Sequence, residues 1–170
     1  LKVANTGYVL SQLNLGIIYE YEKDYDKAKR WYLKAANKRN SDAMYGLGNI
    51  NRKQKNYEKA QSWYLHAYEN GNIEALHELG IMYLENNNII KKEDYEILEK
   101  WFLEVINRQN IASIYNLGTF YLEKGNKDIA IEWYLKASKR GDVDAMYNLG
   151  IIYYDLKNYE EAKKFLIDAL

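Results

Sequence analysis

Apolar residues recur along this chain at i, i+3, i+4 and i+7, the spacing that gathers side chains on one face of an α-helix. Met146, Leu149, Gly150 and Tyr153 form one such set, and Ala130, Trp133, Tyr134 and Ala137 form another. Short polar stretches such as Lys124-Gly125-Asn126-Lys127 separate the sets, too brief for anything but a tight turn between antiparallel helices. The pattern then repeats. Leu-Gly pairs stand at Leu15-Gly16, Leu47-Gly48, Leu79-Gly80, Leu117-Gly118 and Leu149-Gly150, so the glycines are 32, 32, 38 and 32 residues apart. Aromatic pairs follow at the same spacings: Trp31-Tyr32, Trp63-Tyr64, Trp101-Phe102 and Trp133-Tyr134, then the degenerate Phe165-Leu166. A fixed period of this length predicts stacked helical hairpins, none of which can bury its apolar face alone. One repeat domain is expected over residues 1–170, in units of about 5–36, 37–68, 69–106, 107–138 and 139–170.

Within each unit the Leu-Gly set predicts a first helix, A, and the aromatic set a second, B. Asp142 or Asp144 lies where a side chain accepts from the free amides of a helix start, and Gly141 suits the turn before it. Gly48, Gly80, Gly118 and Gly150 each cost about 1 kcal/mol inside a helix relative to Ala. Close approach of the facing helix is the expected compensation, with Ala60, Ala130 and Ala162 as the opposing small residues. The chain has no proline, in keeping with uninterrupted helices.

These residues carry a resemblance. Leu-Gly-x-x-Tyr at Leu15–Tyr19, Leu79–Tyr83, Leu117–Tyr121 and Leu149–Tyr153 resembles helix A of a tetratricopeptide repeat. The series Ala28, Tyr32, Ala35, then Ala60, Tyr64, Ala67, then Ala130, Tyr134, Ala137 resembles its helix B. Trp-Tyr-Leu-Lys-Ala at Trp31–Ala35 and Trp133–Ala137 is closer to the Sel-like repeat subfamily. So is the third unit, whose six extra residues lie around Asn88–Tyr95, where that subfamily has a longer A-to-B connection. The resemblance implies an all-α fold, an α-solenoid of five antiparallel helix-turn-helix repeats wound as a right-handed superhelix. Departures are Asn51 for the helix A tyrosine in unit two, Leu98 and Val105 for the helix B alanines in unit three, and Gln12 and Leu13 in an atypical first helix.

Composition narrows the chemistry. Lys plus Arg equal Asp plus Glu at 24 each, so no overall field recruits nucleic acid or an anionic membrane. No apolar stretch approaches the length of a membrane span. There is no cysteine, and His66 and His77 are the only histidines, so a metal site or nucleophilic triad lacks parts. The carboxylates fall on polar faces, and the glycines are single and periodic instead of forming a phosphate loop. No catalytic residue, cofactor or metal is expected; the chain reads as a non-enzyme. Trp31, Trp63, Trp101 and Trp133 recur at one position, which points to packing. The compartment stays open: cytoplasmic, or secreted or periplasmic if a leader has been removed, as an opening Leu1 would allow. Abundant Asn, Lys, Ile and Tyr suggests AT-rich coding and a bacterial source.

In tetratricopeptide arrays helix A lines the concave groove, and the resemblance places three rows there. The first is Leu13, Tyr45, His77, Tyr115 and Tyr147; the second Ile17, Asn49, Ile81, Thr119 and Ile151; the third Glu20, Arg52, Leu84, Leu122 and Tyr154. Partner contact is expected from Tyr45, Asn49, Arg52, His77, Ile81 and Leu84, and from Tyr115, Thr119, Leu122, Tyr147, Ile151 and Tyr154. Asn49, Asn116 and Asn148 are expected to hydrogen-bond a partner's backbone. The alternative at this level is that the rings touch the next helix A and belong to the core. Phe165, Leu166, Ile167 and Leu170 leave an apolar last helix, so either more chain follows or copies associate as a homo-oligomer through terminal repeats. The expected function is a protein-protein interaction module that binds a partner peptide or protein segment. Alternatives are an oligomerisation scaffold, or an inhibitor or immunity protein that masks an enzyme.

Overall fold

The computed structural model describes residues 2–85, 95–107 and 112–170. Among them are ten helices and no strand: α1 (Lys2–Tyr21), α2 (Tyr25–Ala36), α3 (Ser41–Lys53), α4 (Tyr57–Glu69), α5 (Glu74–Glu85), α6 (Tyr95–Asn107), α7 (Ala112–Glu123), α8 (Lys127–Ser138), α9 (Val143–Asp155) and α10 (Tyr159–Asp168). Odd-numbered helices are the A helices of the sequence pattern, even-numbered ones the B helices. Of the long connection expected around Asn88–Tyr95, residues 88–94 lie outside the described ones and Tyr95 begins α6.

The chain forms two compact units, Leu1–Met82 and Tyr83–Leu170, with α5 running across the division. In the first, α1 pairs with α2 and α3 with α4, while α3 also lies against α1 and α2. In the second, α7 pairs with α8 and α9 with α10; α6 lies against α7, and α9 against α8. α3, α7 and α9 therefore each serve two hairpins, their own and the one before.

The turns follow local chemistry. Asn40 and Asp142 accept from the amides of Ala43 and Ala145 at 2.8 Å each, so Asp142 is the cap and Asp144 sits in the first turn. Asn72 caps α5 in the same way, accepting from Ala75 at 3.1 Å. In each described turn the residue that reverses the chain is left-handed: Gly71, Gly125 and Gly141 where glycine is present, but Lys23, Arg39, Lys55 and Lys157 at the corresponding points elsewhere, with φ of 60–61°. A side chain costs roughly 1–2 kcal/mol in that conformation.

Gly16, Gly48 and Gly118 each meet a ring first, whereas Gly150 meets Leu166 and, at 3.4 Å, the backbone of Ala162. A Cβ built on Gly16 would stand 2.4 Å from Tyr32, one on Gly48 2.5 Å from Tyr64, and one on Gly118 2.7 Å from Tyr134. The tyrosine ring abuts bare backbone through its Cδ1–Cε1 side, and Ala28, Ala60 and Ala130 are buried on the same helices. Tyr32 is held from both sides, since Gly46 of α3 approaches its other edge, where a Cβ would come within 2.7 Å. In the last hairpin Leu166 takes the ring's place over Gly150.

The aromatic pairs divide their work. Tyr32, Tyr64, Phe102 and Tyr134 are fully buried, whereas Trp31, Trp63, Trp101 and Trp133 are half-buried. The outer faces of two tryptophans carry an ammonium group from the next turn, Lys34 at 3.9 Å from the Trp31 ring and Lys136 at 3.7 Å from Trp133. Leu98 and Val105 are buried as bulkier substitutes for alanine. Asn51 is buried and donates its amide to the Leu47 carbonyl at 2.7 Å, so its own helix satisfies it.

Candidate partner-binding face

In the first unit the expected contact residues form a polar cluster bonded within itself. Tyr45 is half-buried, its ring tilted against Tyr64 at 6.0 Å. The Tyr64 hydroxyl donates to Asn49 Oδ1 at 2.7 Å, and the Arg52 guanidinium pairs with the Glu78 carboxylate on α5. Burial raises the pKa of both Tyr45 and Tyr64, so both stay neutral hydrogen-bonding groups. His77 is only 9% exposed, and this burial holds its pKa below the ordinary value against the opposing pull of the Glu78 and Glu74 carboxylates. His77 is therefore core, and Leu13 in the same row is buried too. Ile81 of α5 is half-buried, and so is Leu84, which the division assigns to the second unit.

In the second unit the same rows change character from α7 to α9. Tyr115 is half-buried, packs on Tyr134 at 5.6 Å, and accepts at its hydroxyl from Asn148 Nδ2 at 3.1 Å. Thr119 Oγ1 lies 3.1 Å from the Tyr134 hydroxyl, and burial pushes the pKa of that phenol up to about 12. Leu122 is half-buried. On α9, by contrast, Tyr147 is 55% exposed, Ile151 39% and Tyr154 60%. Asn49 and Asn148 are thus engaged in orienting tyrosines, and Asn116 is half-buried.

Sequence reasoning did not foresee a groove of about 500 Å³ along α9 and α10, lined by Tyr147, Tyr154, Tyr159, Ala162, Leu166 and Ile167, with Lys163 at its edge. Its signal was the apolar run of the last helix. Phe165 leaves that run for the core, where its ring stacks on Tyr153 at 5.7 Å and 5°. No group of three or more His, Cys, Asp or Glu side chains among the described residues is placed to hold a metal. No described helix is long and apolar enough to cross a membrane.

Comparison with known proteins gives the arrangement its relatives. A tetratricopeptide repeat model matches residues 12–72 and 115–166, and a Sel1 repeat model matches residues 73–97, the unit with the long connection. No curated protein sequence matches the chain significantly. Among solved structures, a Sel1 repeat protein from Oxalobacter formigenes is 27% identical over 99% of this chain and 75% of that one, with a TM-score of 0.69. A protective antigen of uropathogenic Escherichia coli with an SLR fold is 24% identical; 98% of this chain spans 38% of that protein, with a TM-score of 0.73. YrrB, a TPR protein with an unusual peptide-binding site, is 21% identical over 93% of this chain and 82% of its own, with a TM-score of 0.68.

Proposed function

The chain belongs to the tetratricopeptide repeat family, and from that membership we propose a non-catalytic protein-binding module whose A-helix face holds a segment of a partner protein or peptide. Tetratricopeptide and Sel1 repeats are in general protein-interaction modules without catalytic activity. The observation that carries the reading is the apolar exposure of Tyr147, Ile151 and Tyr154 on one face of α9. Helix A packing uses Ala145, Leu149, Gly150 and Ile152, which are buried, and does not require those three. Tyrosine suits such a surface because its ring gives contact area and its hydroxyl a hydrogen bond at small cost in rotamer freedom. Tyr115 and Thr119 stand behind them, fixed by Asn148 and Tyr134. In the first unit, taken by itself, Tyr45, Asn49 and Arg52 are held by Tyr64 and Glu78. YrrB supports the reading as a neighbour of the same fold with a peptide-binding site.

The test is selection of displayed peptides on the wild-type chain, followed by titration of the winners against the Tyr147→Ser/Ile151→Ser variant. Micromolar binding, on the order of 8 kcal/mol, is expected for the wild type. The variant should bind at least tenfold more weakly, since buried anchors of this kind carry about 2 kcal/mol. Its unfolding should stay within about 0.5 kcal/mol of wild type, because both residues are exposed. Peptides that bind both proteins equally would place the contact elsewhere.

A further inference from the structure

We infer that the outer face of the first unit, the exposed side of α2 and α4, docks on the surface of a bilayer that carries anionic lipids. The docking is peripheral, uses a different surface from the A-helix face and stands without the partner segment proposed there. From Lys27 to Arg39 the chain has six basic residues and no acidic one, a local imbalance that the zero net charge conceals. Lys27, Arg30 and Lys34 stand at i, i+3 and i+7 on the side of α2 away from the buried Ala28, Tyr32 and Ala35. Lys23 and Lys38 lie in the turns at either end, and all five cations are exposed. On α4 the same row is Lys59, Ser62 and His66, with Lys55 in the turn before it; it too is exposed and holds no carboxylate. Lys29 donates to Gln54 at 2.5 Å, which sets the α3–α4 turn beside α2.

The repeat period does not account for this charge. Equivalent rows are mixed elsewhere: Ile97, Lys100 and Glu104 on α6, Ile129, Glu132 and Lys136 on α8, Glu161, Lys164 and Asp168 on α10. Nor does the exposure depend on a missing neighbour. α2 has α1 and α3 against it, α8 has α7 and α9, and both leave the row in solvent, so exposure belongs to the outer side of a B helix. Local structure does not call for the cations either. Arg30 with Lys34, and Lys34 with Lys38, are like charges at i, i+4, which oppose a helix. Asp24 pairs with Lys27 at 2.8 Å and Lys34 lies over Trp31, but among the described residues no carboxylate pairs with Arg30, Lys38 or Lys59.

The residue types choose among anionic partners. Six of the seven cations on the two rows are lysines, which are flexible point charges, whereas shaped recognition of carboxylates or nucleic-acid phosphates favours the bidentate fork of arginine. Protein interfaces are depleted in lysine and centre on apolar or aromatic anchors. Leu33, at 40%, is the one large apolar residue of α2 and α4 that is exposed. The Trp31 ring carries Lys34 at 3.9 Å and so offers no free platform for a nucleic-acid base. A layer of anionic headgroups needs no anchor and no fork, because a field of positive charge suffices.

Sedimentation of the full chain with phosphatidylcholine vesicles, with and without phosphatidylserine, tests this at low ionic strength. The wild type should pellet with the phosphatidylserine vesicles, stay in solution with phosphatidylcholine alone, and be released by salt at about 1 M. The triple variant Arg30→Gln, Lys38→Gln, Lys59→Gln should bind about 100-fold more weakly, at roughly fivefold for each basic residue lost from such a surface. Removing the same charge from the second unit, by Lys127→Gln, Lys139→Gln and Arg140→Gln, should leave binding within about twofold of wild type. Both triples should unfold at the wild-type temperature or above, so that lost binding is not lost folding. A wild type that ignores phosphatidylserine overturns the inference. So does a second-unit triple that binds as weakly as the first, which would make net charge the cause. Binding of poly-glutamate or a single-stranded oligonucleotide without binding of vesicles also overturns it, and gives the face to an acidic protein or a nucleic acid.

Discussion

Replacing Gly48 with Ala should destabilise the protein although alanine is the better helix former. Helix propensity alone favours the change by about 1 kcal/mol. Against that, the added methyl would stand 2.5 Å from Cδ1 and Cε1 of Tyr64 and 3.1 Å from Cγ. Carbon atoms rest at roughly 3.5–4.0 Å, so the ring must retreat by about 1 Å. It has nowhere easy to go. Tyr64 is fully buried, Tyr45 packs on it at 6.0 Å, and its hydroxyl is tied to Asn49 at 2.7 Å. Overpacking of this kind costs about 1–3 kcal/mol, and loosening the hydrogen bond of a buried phenol adds about 1 kcal/mol. The net is a loss of about 2 kcal/mol, or about 4–8 °C in Tm for a chain of this size. Gly7→Ala is the matched control. Gly7 also lies in a helix, but a Cβ there meets nothing within 4 Å, so propensity acts alone and the variant should gain up to about 1 kcal/mol. Urea unfolding of the two variants beside wild type decides the matter. If Gly48→Ala is as stable as Gly7→Ala, the ring-on-backbone contact does not explain the helical glycines.

Other outcomes follow from the same contacts. Gln12 is buried in the position that Met44 and Met146 occupy in later repeats, and its Oε1 finds no hydrogen-bond partner among the described residues; Gln12→Met should stabilise by about 1 kcal/mol in chemical unfolding. Lys157 holds φ at 60° where Gly125 stands in the preceding repeat, so Lys157→Gly should raise stability by up to about 1 kcal/mol, and a loss would deny that strain. Burial lowers the pKa of His77 in the fold. The stability gained by keeping it neutral is present above the unfolded value of about 6.5 and is lost as pH falls through the lower folded value. Unfolding free energies measured at about pH 7 and about pH 5 should therefore differ less in His77→Gln than in wild type. Burial favours the neutral form of Tyr134 as well, but for a phenol this pushes the pKa the other way, up to about 12. Its contribution is full below the unfolded value of about 10 and is lost as pH rises toward the folded one. Tyr134→Phe should flatten the alkaline fall in stability.

The fold was legible because the period is written in residues whose roles are steric. A Leu-Gly pair in one helix and an aromatic pair in the next recur only if the same contact recurs, and Gly48 on Tyr64 and Gly118 on Tyr134 are that contact. The partner of the glycine was misread as alanine, although the signal was present. Ala28, Tyr32 and Ala35 stand at i, i+4 and i+7, so the tyrosine and the alanines share a stripe, and the adjacent tryptophan is turned about 100° away. That rotation is why Trp31 and Trp133 show a face to Lys34 and Lys136 while Tyr32 and Tyr134 are buried.

The candidate face was less legible for a reason built into repeat architecture. A residue's exposure in such an array depends on its own helix and on what the next repeat lays over it, roughly 30 residues further on. Tyr115 and Tyr147 are the same word in consecutive repeats, yet one is half-buried under the bond from Asn148 and the other is 55% exposed. His77 in the same row is buried, and nothing in its own helix sets it apart from them. The row therefore cannot be sorted into core and surface from one unit at a time; it must be read against the residue one repeat ahead.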